Sequence, residues 1–318
     1  MTSEGRAPAS SQLKGGKRRP DLFLALTWVA AVASVLTLLW ILESIVMPAW
    51  PSIQQNGLNF FTSTVWDVNR NRYGALPFLI GTAVSSLIAL CLALPLGVFI
   101  ALFLSENFLP LAVRQVIRFV VELLAAIPSV VYGLWGIAVV IPIVQQYGGY
   151  LADYLGFVPL FSGPSVGNSM LTASLVLAIM VLPTITAISR ATLVAVPPTL
   201  REGSYAVGAT RWETIFRVLV PTAAPGIVAA TILAFGRAMG ETMAVAMLIG
   251  NSPRLSWSLL SPAGTLAGLL ANQFGEAQGL QISALMYAAL ALVLLTLIVN
   301  MVGEAVLRHA EKTTAGIR

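Results

Sequence analysis

Six long apolar stretches, separated by shorter polar connections, dominate the pattern of the chain. Each has the roughly 20 apolar residues that an α-helix needs to cross the hydrocarbon core of a bilayer. The pattern therefore predicts six membrane-spanning helices, approximately over Leu22–Met47, Gly74–Leu104, Phe119–Val144, Met170–Ser189, Ala223–Ile249 and Ile282–Val302. Pro95, Pro128 and Pro183 lie inside these stretches, which is typical of kinked helices whose neighbours satisfy the freed carbonyl groups.

The composition supports this interpretation. Of the 318 residues, 57% are hydrophobic and only 10% are charged, too few charges to cover the surface of a soluble domain. The single cysteine, Cys91, and the single histidine, His309, exclude a disulfide framework and a Cys/His metal cluster. The net charge is +5, but the Lys and Arg residues form no patch with interleaved aromatic residues. This argues against nucleic acid as a partner. The fold class predicted is an all-α integral membrane protein.

The distribution of Lys and Arg predicts the orientation of the spans, because such residues are enriched on the cytoplasmic side. Alternate connections and the two termini carry fourteen of them, whereas the opposite connections carry three, and Arg237 lies inside a span. We therefore predict a multi-pass protein of the cell inner membrane with both termini cytoplasmic. Residues 1–20 are expected to form a disordered cytoplasmic arm, 21–310 the six-helix domain, and 311–318 a cytoplasmic tail.

The connection between the fourth and fifth spans has more structure in its pattern than an ordinary loop. It reads VPPTLREGSYAVGATRWETIFRVLVP, and the Pro197-Pro198 pair favours the start of a helix. Gly208 suits the left-handed residue that ends a helix. Thr210 and Glu213 have capping-box spacing, which predicts a second helix running into the fifth span. The pattern alone leaves open whether this segment is a loop that happens to be helical or an element with a function.

This connection resembles the cytoplasmic signature of the permease subunits of ABC-type importers. In that signature Glu-Ala-Ala is followed by three residues, Gly, nine residues and Ile-x-Leu-Pro. Glu202, Gly208 and Pro221 occupy the matching positions, and Gly203-Ser204 stands where Ala-Ala is usual. The extra glycine weakens the helix by roughly 1 kcal/mol. The resemblance implies a coupling segment over about residues 197–217, in which Glu202, Gly203, Ser204, Gly208 and Pro221 transmit the action of an ATPase.

Three further stretches extend the resemblance to one type of permease within these importers. VWDVNRNRYGALPFLIGT (65–82), AAIPSVVYGLWG (125–136) and AFGRAMGETMAVAMLIGN (234–251) are similar to the PstC-type permeases of phosphate-specific ABC importers. That resemblance implies a type I importer architecture and four kinds of subunit. A PstA-like permease would share the pore, two PstB-like ATPase subunits would drive it, and an external PstS-like protein would deliver phosphate.

The chain itself is not expected to be an enzyme or to bind a cofactor or a metal. It contains no Walker A sequence, GxxxxGK followed by Ser or Thr. ATP would therefore be bound and hydrolysed on the partner ATPase subunit.

Arg237 and Glu241 are ionisable residues inside the fifth apolar stretch, where charge costs a few kcal/mol. Four residues apart on a helix, they would share a face and approach each other. Two interpretations remain open from the residues alone, a pair that joins helices and a contact with the substrate. The resemblance favours the second, in which Arg237 offsets the charge of phosphate and Glu241 is its resting partner and accepts a hydrogen bond from a phosphate hydroxyl.

Other polar residues in the spans have simpler interpretations. Arg118 and Glu122, one turn apart near the cytoplasmic end of the third stretch, are predicted to form a structural ion pair. Ser129, Tyr132 and Thr242 either line a polar path or bond backwards to carbonyls of their own helices, and the second interpretation is favoured.

The function expected is a permease subunit that carries inorganic phosphate into the cytoplasm. The alternatives are a permease for another oxyanion and an ion-gradient-driven secondary transporter. Secondary transporters are often built from repeated halves, whereas these six stretches show no repeat. An intramembrane enzyme is the weakest alternative, because the sequence supplies no HExxH motif and no aspartate within a span.

Overall fold

The computed structural model describes residues 22–106 and 108–315, so that the predicted arm over 1–20 lies outside the described residues. The chain divides into two units, Met1–Ser44 and Ile45–Arg318. The described part of the first unit belongs to helix α1 (Leu22–Asn56), and its described side chains are exposed. An apolar surface all round a helix is what contact with lipid requires.

Helices dominate the second unit. After α1 come α2 (Asn59–Thr62), a two-stranded antiparallel hairpin of β1 (Trp66–Asp67) and β2 (Arg72–Tyr73), α3 (Leu76–Ser105), α4 (Leu111–Ala126), α5 (Ser129–Trp135), α6 (Ile141–Leu155), α7 (Met170–Ala195), α8 (Pro198–Ala206), α9 (Arg211–Thr214), α10 (Val220–Gly240), α11 (Met243–Leu248), α12 (Leu266–Gln273) and α13 (Leu280–Ala315). Two π-helical turns (Gly136–Val140, Ile215–Leu219) and two 3₁₀ turns (Pro159–Phe161, Phe274–Glu276) join some of these elements.

Within the described residues, six helical segments are long and apolar enough to cross a membrane, which confirms the number predicted. They are Phe23–Asn56, Leu76–Ser105, Ser129–Tyr154, Met170–Ala195, Arg211–Gly240 and Leu280–Lys312. The first extends beyond the predicted Met47, through two prolines. α13 continues to Ala315, past residue 310, where the sequence places the start of a tail.

The third predicted span, Phe119–Val144, is wrong at its start. Its first residues belong to α4, which is amphipathic and ends at Ala126. Ile127 is extended (ψ 127°) and Pro128 precedes α5. A proline disfavours the helical conformation of the residue before it and has no N–H to donate. The apolar stretch is therefore divided into a separate helix α4 and a span that begins at Ser129.

Proline also accounts for the two π-helical turns. Pro142 and Pro221 each stand at the second residue of the helix that follows such a turn, α6 and α10 respectively. A proline leaves the carbonyl four residues earlier without its usual donor, and a π turn accommodates the mismatch. Beside Pro221, the Thr222 hydroxyl donates to the carbonyl of Val218 at 2.6 Å. The helical path therefore continues from α9 into α10 without a break.

Helix α7 lies at the centre of the second unit. In its most apolar window 61% of residues are buried, against 33% or less for the other five candidate spans. It packs closely on α3, where a Cβ at Gly97 would lie 2.8 Å from Cγ2 of Ile185. The Thr186 hydroxyl also donates to the carbonyl of Gly97 at 3.3 Å. Small side chains on α3 thus allow the two helices to approach.

A second cluster joins the hairpin region to the last two helices. Phe60 stacks on Tyr287 with ring centroids 4.2 Å apart, and the Trp66 indole donates to Gln273 Oε1 at 3.0 Å. Trp66 also packs edge-on against Tyr73, which is only 3% exposed. Trp66 and Tyr73 therefore pack against other parts of the chain.

The N-terminal part of α3 is held by a tight contact with the segment before α12. The Thr82 hydroxyl accepts a hydrogen bond from the N–H of Leu266 at 2.9 Å. One residue earlier, a Cβ at Gly81 would overlap the carbonyl oxygen of Gly264. Only glycine therefore permits this approach of a helix to the backbone of another segment.

We expect Gly81→Ala to destabilise the folded chain by about 1–3 kcal/mol, because the added methyl displaces backbone that is already packed. The midpoint of thermal unfolding in detergent measures the effect. The matched control is Gly149→Ala in α6, where the structure leaves open space around the new methyl and the midpoint should stay the same or rise. Equal midpoints for both variants and the natural chain would contradict the packing described here.

Candidate functional site

The segment from Arg237 to Thr242 is where the structure departs most from the expected helical geometry. Helix α10 ends at Gly240, and Glu241 is extended (φ −68°, ψ 125°). A new short helix, α11, begins at Met243. The predicted approach of Arg237 and Glu241 on one helical face is therefore wrong, and the two side chains form no ion pair among the described residues.

The polar groups at this break are satisfied locally. The Thr242 hydroxyl donates to the carbonyl of Gly240 at 3.2 Å, and the carbonyl of Thr242 accepts the N–H of Ala246 at 2.9 Å. Similarly, the Tyr132 hydroxyl donates to the carbonyl of Leu124 at 2.8 Å, across the break at Pro128. Both hydroxyls therefore bond to backbone carbonyls earlier in the chain, but neither bonds within its own helix as predicted: Leu124 belongs to α4, whereas Tyr132 belongs to α5, and Thr242 lies between α10 and α11.

Arg237 lies at the edge of an open groove of about 530 Å³ between α7, α10 and α13. The other lining residues are Thr184, Ile232, Leu233, Gly236, Thr296 and Asn300. Its side chain is exposed and, in the part of the chain that the structure describes, has neither an ion pair nor a side-chain hydrogen bond. The groove therefore combines one uncompensated cation with hydroxyl and amide groups.

The position of Arg237 in its helix stabilises a positive charge. Arg237 stands in the last turn of α10, where the unpaired carbonyls of a helix carry partial negative charge. Glu241, the residue directly after the end of α10, is half-buried and forms no ion pair with Arg237 among the described residues. A guanidinium group held in this way is available to an oxyanion from outside the chain.

The predicted coupling segment folds as its sequence indicates. α8 begins at Pro198, directly after Pro197, and ends at Ala206. Gly208 is left-handed (φ +85°), with its N–H bonded to the carbonyl of Tyr205 at 3.0 Å. Thr210 caps α9 through a capping box with Glu213. The two helices and the glycine turn between them are therefore confirmed as local structure.

The five residues predicted for coupling do not form one cluster. Glu202 and Gly203 are exposed on α8, whereas the Ser204 hydroxyl lies 2.9 Å from that of Thr214 and joins α8 to α9. Gly208 is at the turn, and Pro221 lies inside α10. Tyr205 on α8 and Val207, the residue after its end, are also exposed, at 44% and 84%. Sequence reasoning did not single out these two residues.

Arg201 is the contact that fixes α8 to the ends of the spans. Its guanidinium group pairs with Glu106 at 3.1 Å and donates to the carbonyls of Leu193 and Val196 at 3.0 and 3.1 Å. The side chains of Arg201 and Glu106 are only 21% and 14% exposed. Sequence reasoning missed this pair, because two charged residues 95 positions apart leave no signal in local spacing.

Aromatic residues strengthen the same junction. The Trp212 ring stacks on Phe108 with centroids 5.2 Å apart and on Phe216 at 5.9 Å. Phe108 follows the end of α3, so that this stack joins α9 to the connection between α3 and α4. α8 and α9 are thus held to the ends of α3 and α7 by one ion pair and one aromatic stack.

Arg118 and Glu122 are in contact on α4, as the spacing predicts. Arg118 Nε donates to Glu122 Oε1 at 2.7 Å, and this hydrogen bond, with the charge of Glu122, raises the pKa of Arg118 above its usual value. Both side chains are more than half exposed, so that the pair contributes little to stability. Among the described residues, no group of three His, Cys, Asp or Glu could hold a metal ion.

The sequence matches the family described as "Binding-protein-dependent transport system inner membrane component" over residues 93–315. The chain is also 41% identical to the phosphate transport system permease protein PstC of Xylella fastidiosa (strain Temecula1), over 94% of this chain and 95% of that protein. It is 41% identical to PstC of Haemophilus influenzae, over 92% and 94% of the two chains. A probable PstC of Methanocaldococcus jannaschii is 34% identical, over 92% and 95%.

Solved structures resemble the fold. A chain of the inward-facing MetNI methionine ABC transporter superposes with a TM-score of 0.53 at 19% identity, over 73% of this chain and 94% of that chain. A chain of a bacterial ABC transporter involved in the import of the polysaccharide alginate gives a TM-score of 0.55 at 14% identity, over 90% and 97%. At such low identities these likenesses show the fold alone, which is that of type I ABC importer permeases.

Proposed function

Because the chain belongs to the family of binding-protein-dependent transport system inner membrane components, we propose that it is the permease subunit through which an ABC importer carries inorganic phosphate. The observation that carries this proposal is the 41% identity to phosphate transport system permeases over 94% of the chain. Members of this family are transport subunits and not enzymes. The six candidate spans make the chain a multi-pass membrane protein.

The orientation we propose has both termini and α8 in the cytoplasm. Fourteen Lys and Arg residues fall on the proposed inner side and three on the outer side, as the positive-inside tendency requires. With this orientation α8 faces the compartment that holds ATP. The hairpin of β1 and β2 then faces the outside, where a binding protein would dock.

The partners we propose are a PstA-like second permease, two PstB-like ATPase subunits and a PstS-like phosphate-binding protein. The absence of a Walker A sequence in this chain requires that ATP be bound by another subunit. The exposed residues of α8 and the residue after it suit contact with such a subunit; they are Glu202, Gly203, Tyr205 and Val207. Because Arg201 binds the ends of α3 and α7, movement of α8 would be transmitted to two spans.

We propose that Arg237 receives phosphate on its passage. A fixed cation offsets the charge of an oxyanion that would otherwise be rejected by a path of low dielectric constant. The planar guanidinium group gives paired hydrogen bonds to phosphate oxygens and stays charged. Glu241, beyond the end of α10, would accept a hydrogen bond from a phosphate hydroxyl and repel an oxyanion without one, such as sulfate.

The proposed function predicts which subunits accompany the chain and what drives uptake. Purification in mild detergent should recover an ATPase and a second permease, and the reconstituted complex should take up radiolabelled phosphate only when ATP is present. Excess sulfate should not compete. Uptake driven by an ion gradient without the ATPase would instead favour a secondary transporter, and equal competition by sulfate would favour a broader oxyanion permease.

Arg237→Gln should reduce phosphate uptake by about tenfold to a hundredfold, because a charged hydrogen bond worth about 1.5–3 kcal/mol is lost. Arg237→Lys should retain part of the activity, since the charge remains but the planar fork does not. Glu241→Gln should reduce phosphate uptake or admit sulfate. All are measured on reconstituted complex of verified subunit stoichiometry, with Arg254→Gln as a control for an exposed arginine in an outer connection. Normal rates and unchanged selectivity in all three variants would refute this role.

Gly208→Val should reduce ATP-driven uptake several-fold while the complex still assembles. The left-handed conformation costs a residue with a Cβ about 1–2 kcal/mol, and valine is branched at that carbon. Gly208→Asn is the matched control, because asparagine tolerates this conformation and no atom lies within 4 Å of the new Cβ. If Gly208→Val and Gly208→Asn transport equally well, the turn does not position α8 for coupling.

A further inference from the structure

The beginning of α4 and the last part of α7 contain buried polar atoms without hydrogen-bond partners in the described part of the chain. They are Nε of Arg114, Oγ of Ser189 and Nε of Arg190. Such atoms are nearly always paired in folded proteins, and leaving one unpaired costs about 1–3 kcal/mol. The two arginine atoms therefore point to a partner from outside this chain.

Arg114 and Arg190 line the same pocket, which has a volume of about 250 Å³. We call it the α4–α7 pocket, and its lining residues are Leu104, Leu111, Arg114, Gln115, Arg118 and Arg190. Arg118 is neutralised by Glu122. Neither Arg114 nor Arg190 has a carboxylate within 4.0 Å among the described residues. The pocket therefore carries two uncompensated positive charges.

The position of the pocket favours a phosphate group as the ligand. It lies where α3 ends, α4 begins and α7 approaches its last turn, which is the level of lipid headgroups for spans of this length. Basic pockets between helices at this level suit anionic headgroups. On α4, Leu111, Val116 and Phe119 are between 62% and 65% exposed, so that an apolar surface for acyl chains adjoins the charged pocket.

We propose that the α4–α7 pocket binds a phosphate group, through the guanidinium groups of Arg114 and Arg190. The group belongs either to an anionic phospholipid or to inorganic phosphate, which share the oxyanion that a pair of arginines recognises. The pocket volume of about 250 Å³ is several times the roughly 30 Å³ that one water molecule occupies in the liquid. A phosphate group therefore fits in the pocket. The bound phosphate offsets the repulsion between the two arginines and joins α4 to the end of α7. This inference does not depend on which substrate the chain transports.

The test compares the natural complex with a complex carrying Arg114→Gln and Arg190→Gln together. Native mass spectrometry counts the phosphatidylglycerol retained after transfer from phosphatidylcholine nanodiscs that contain a small fraction of it. In parallel, the thermal unfolding midpoint is recorded with added phosphatidylglycerol and with added inorganic phosphate. If the ligand is the lipid, we expect its binding to weaken about thirtyfold in the double variant, because each arginine contributes about 1 kcal/mol towards an anionic headgroup.

The two probes distinguish the sources. Stabilisation of the natural complex by phosphatidylglycerol alone assigns the pocket to a lipid, and stabilisation by inorganic phosphate alone assigns it to the free anion; in either case the double variant must lose the effect. Arg308→Gln is the control, because Arg308 is an exposed arginine near the end of α13 that is already paired with Glu304 at 2.9 Å. Equal loss in this control would overturn the proposal, since general surface charge would then explain the binding.

A measurement on the natural complex covers the case in which the double variant does not fold. Hydrogen exchange of the amides from Leu111 to Arg118 should slow when either probe is added, because a ligand would hold the first turns of α4. No protection and no stabilisation by either probe would overturn the proposal. The proposal would also be overturned if the natural complex bound neither probe and the double variant lost the second permease. The arginines would then contact a partner subunit.

Discussion

The close packing of α7 on α3 is the constraint on which the rest of the structure depends. Lipid offers no hydrophobic driving force between helices, so that packing density and interhelical hydrogen bonds hold spans together. Gly97 lets the two backbones approach, and the Thr186 hydroxyl then reaches a carbonyl of the neighbouring helix. Both ends of this pair are in turn in contact with other elements. Arg201 anchors α8 at one end, and the segment before α12 rests on Gly81 and Thr82 at the other.

The number of spans could be predicted because the length of an apolar stretch is set by the bilayer and is visible in sequence. The ends of the third and fifth spans could not, since apolar character continues across breaks that the backbone makes for other reasons. Pro128 stops α4, whereas Pro95 and Pro183 remain inside continuous helices. What separates these cases is whether neighbouring segments satisfy the freed carbonyls, and that is a property of tertiary packing.

In the candidate site, too, local features could be predicted from the sequence and features set by tertiary packing could not. α8, its glycine turn and the capping box were predictable, because each rests on interactions within four residues of the chain. Arg237 could be identified from the sequence because a charged residue inside an apolar stretch is costly and usually marks a partner or a function. Its separation from Glu241 was not foreseen, since the end of α10 at Gly240 depends on α11 packing elsewhere. The Arg201 and Glu106 pair, and the unpaired arginines of the α4–α7 pocket, arise only when distant segments meet.

The cluster around Phe60 and Tyr287 has a consequence for how the chain is made. It pairs residues near the beginning of the second unit with residues of the last helix, and the hydrogen bond from Tyr287 to the carbonyl of Gly57 spans 230 positions. Contacts of such high sequence separation form late, because a long loop must close before they contribute. During synthesis, the packing of the hairpin region can therefore be completed only after α13 has entered the membrane. If synthesis stops before that helix, these aromatic side chains remain exposed. Quality control can recognise such exposed apolar surface.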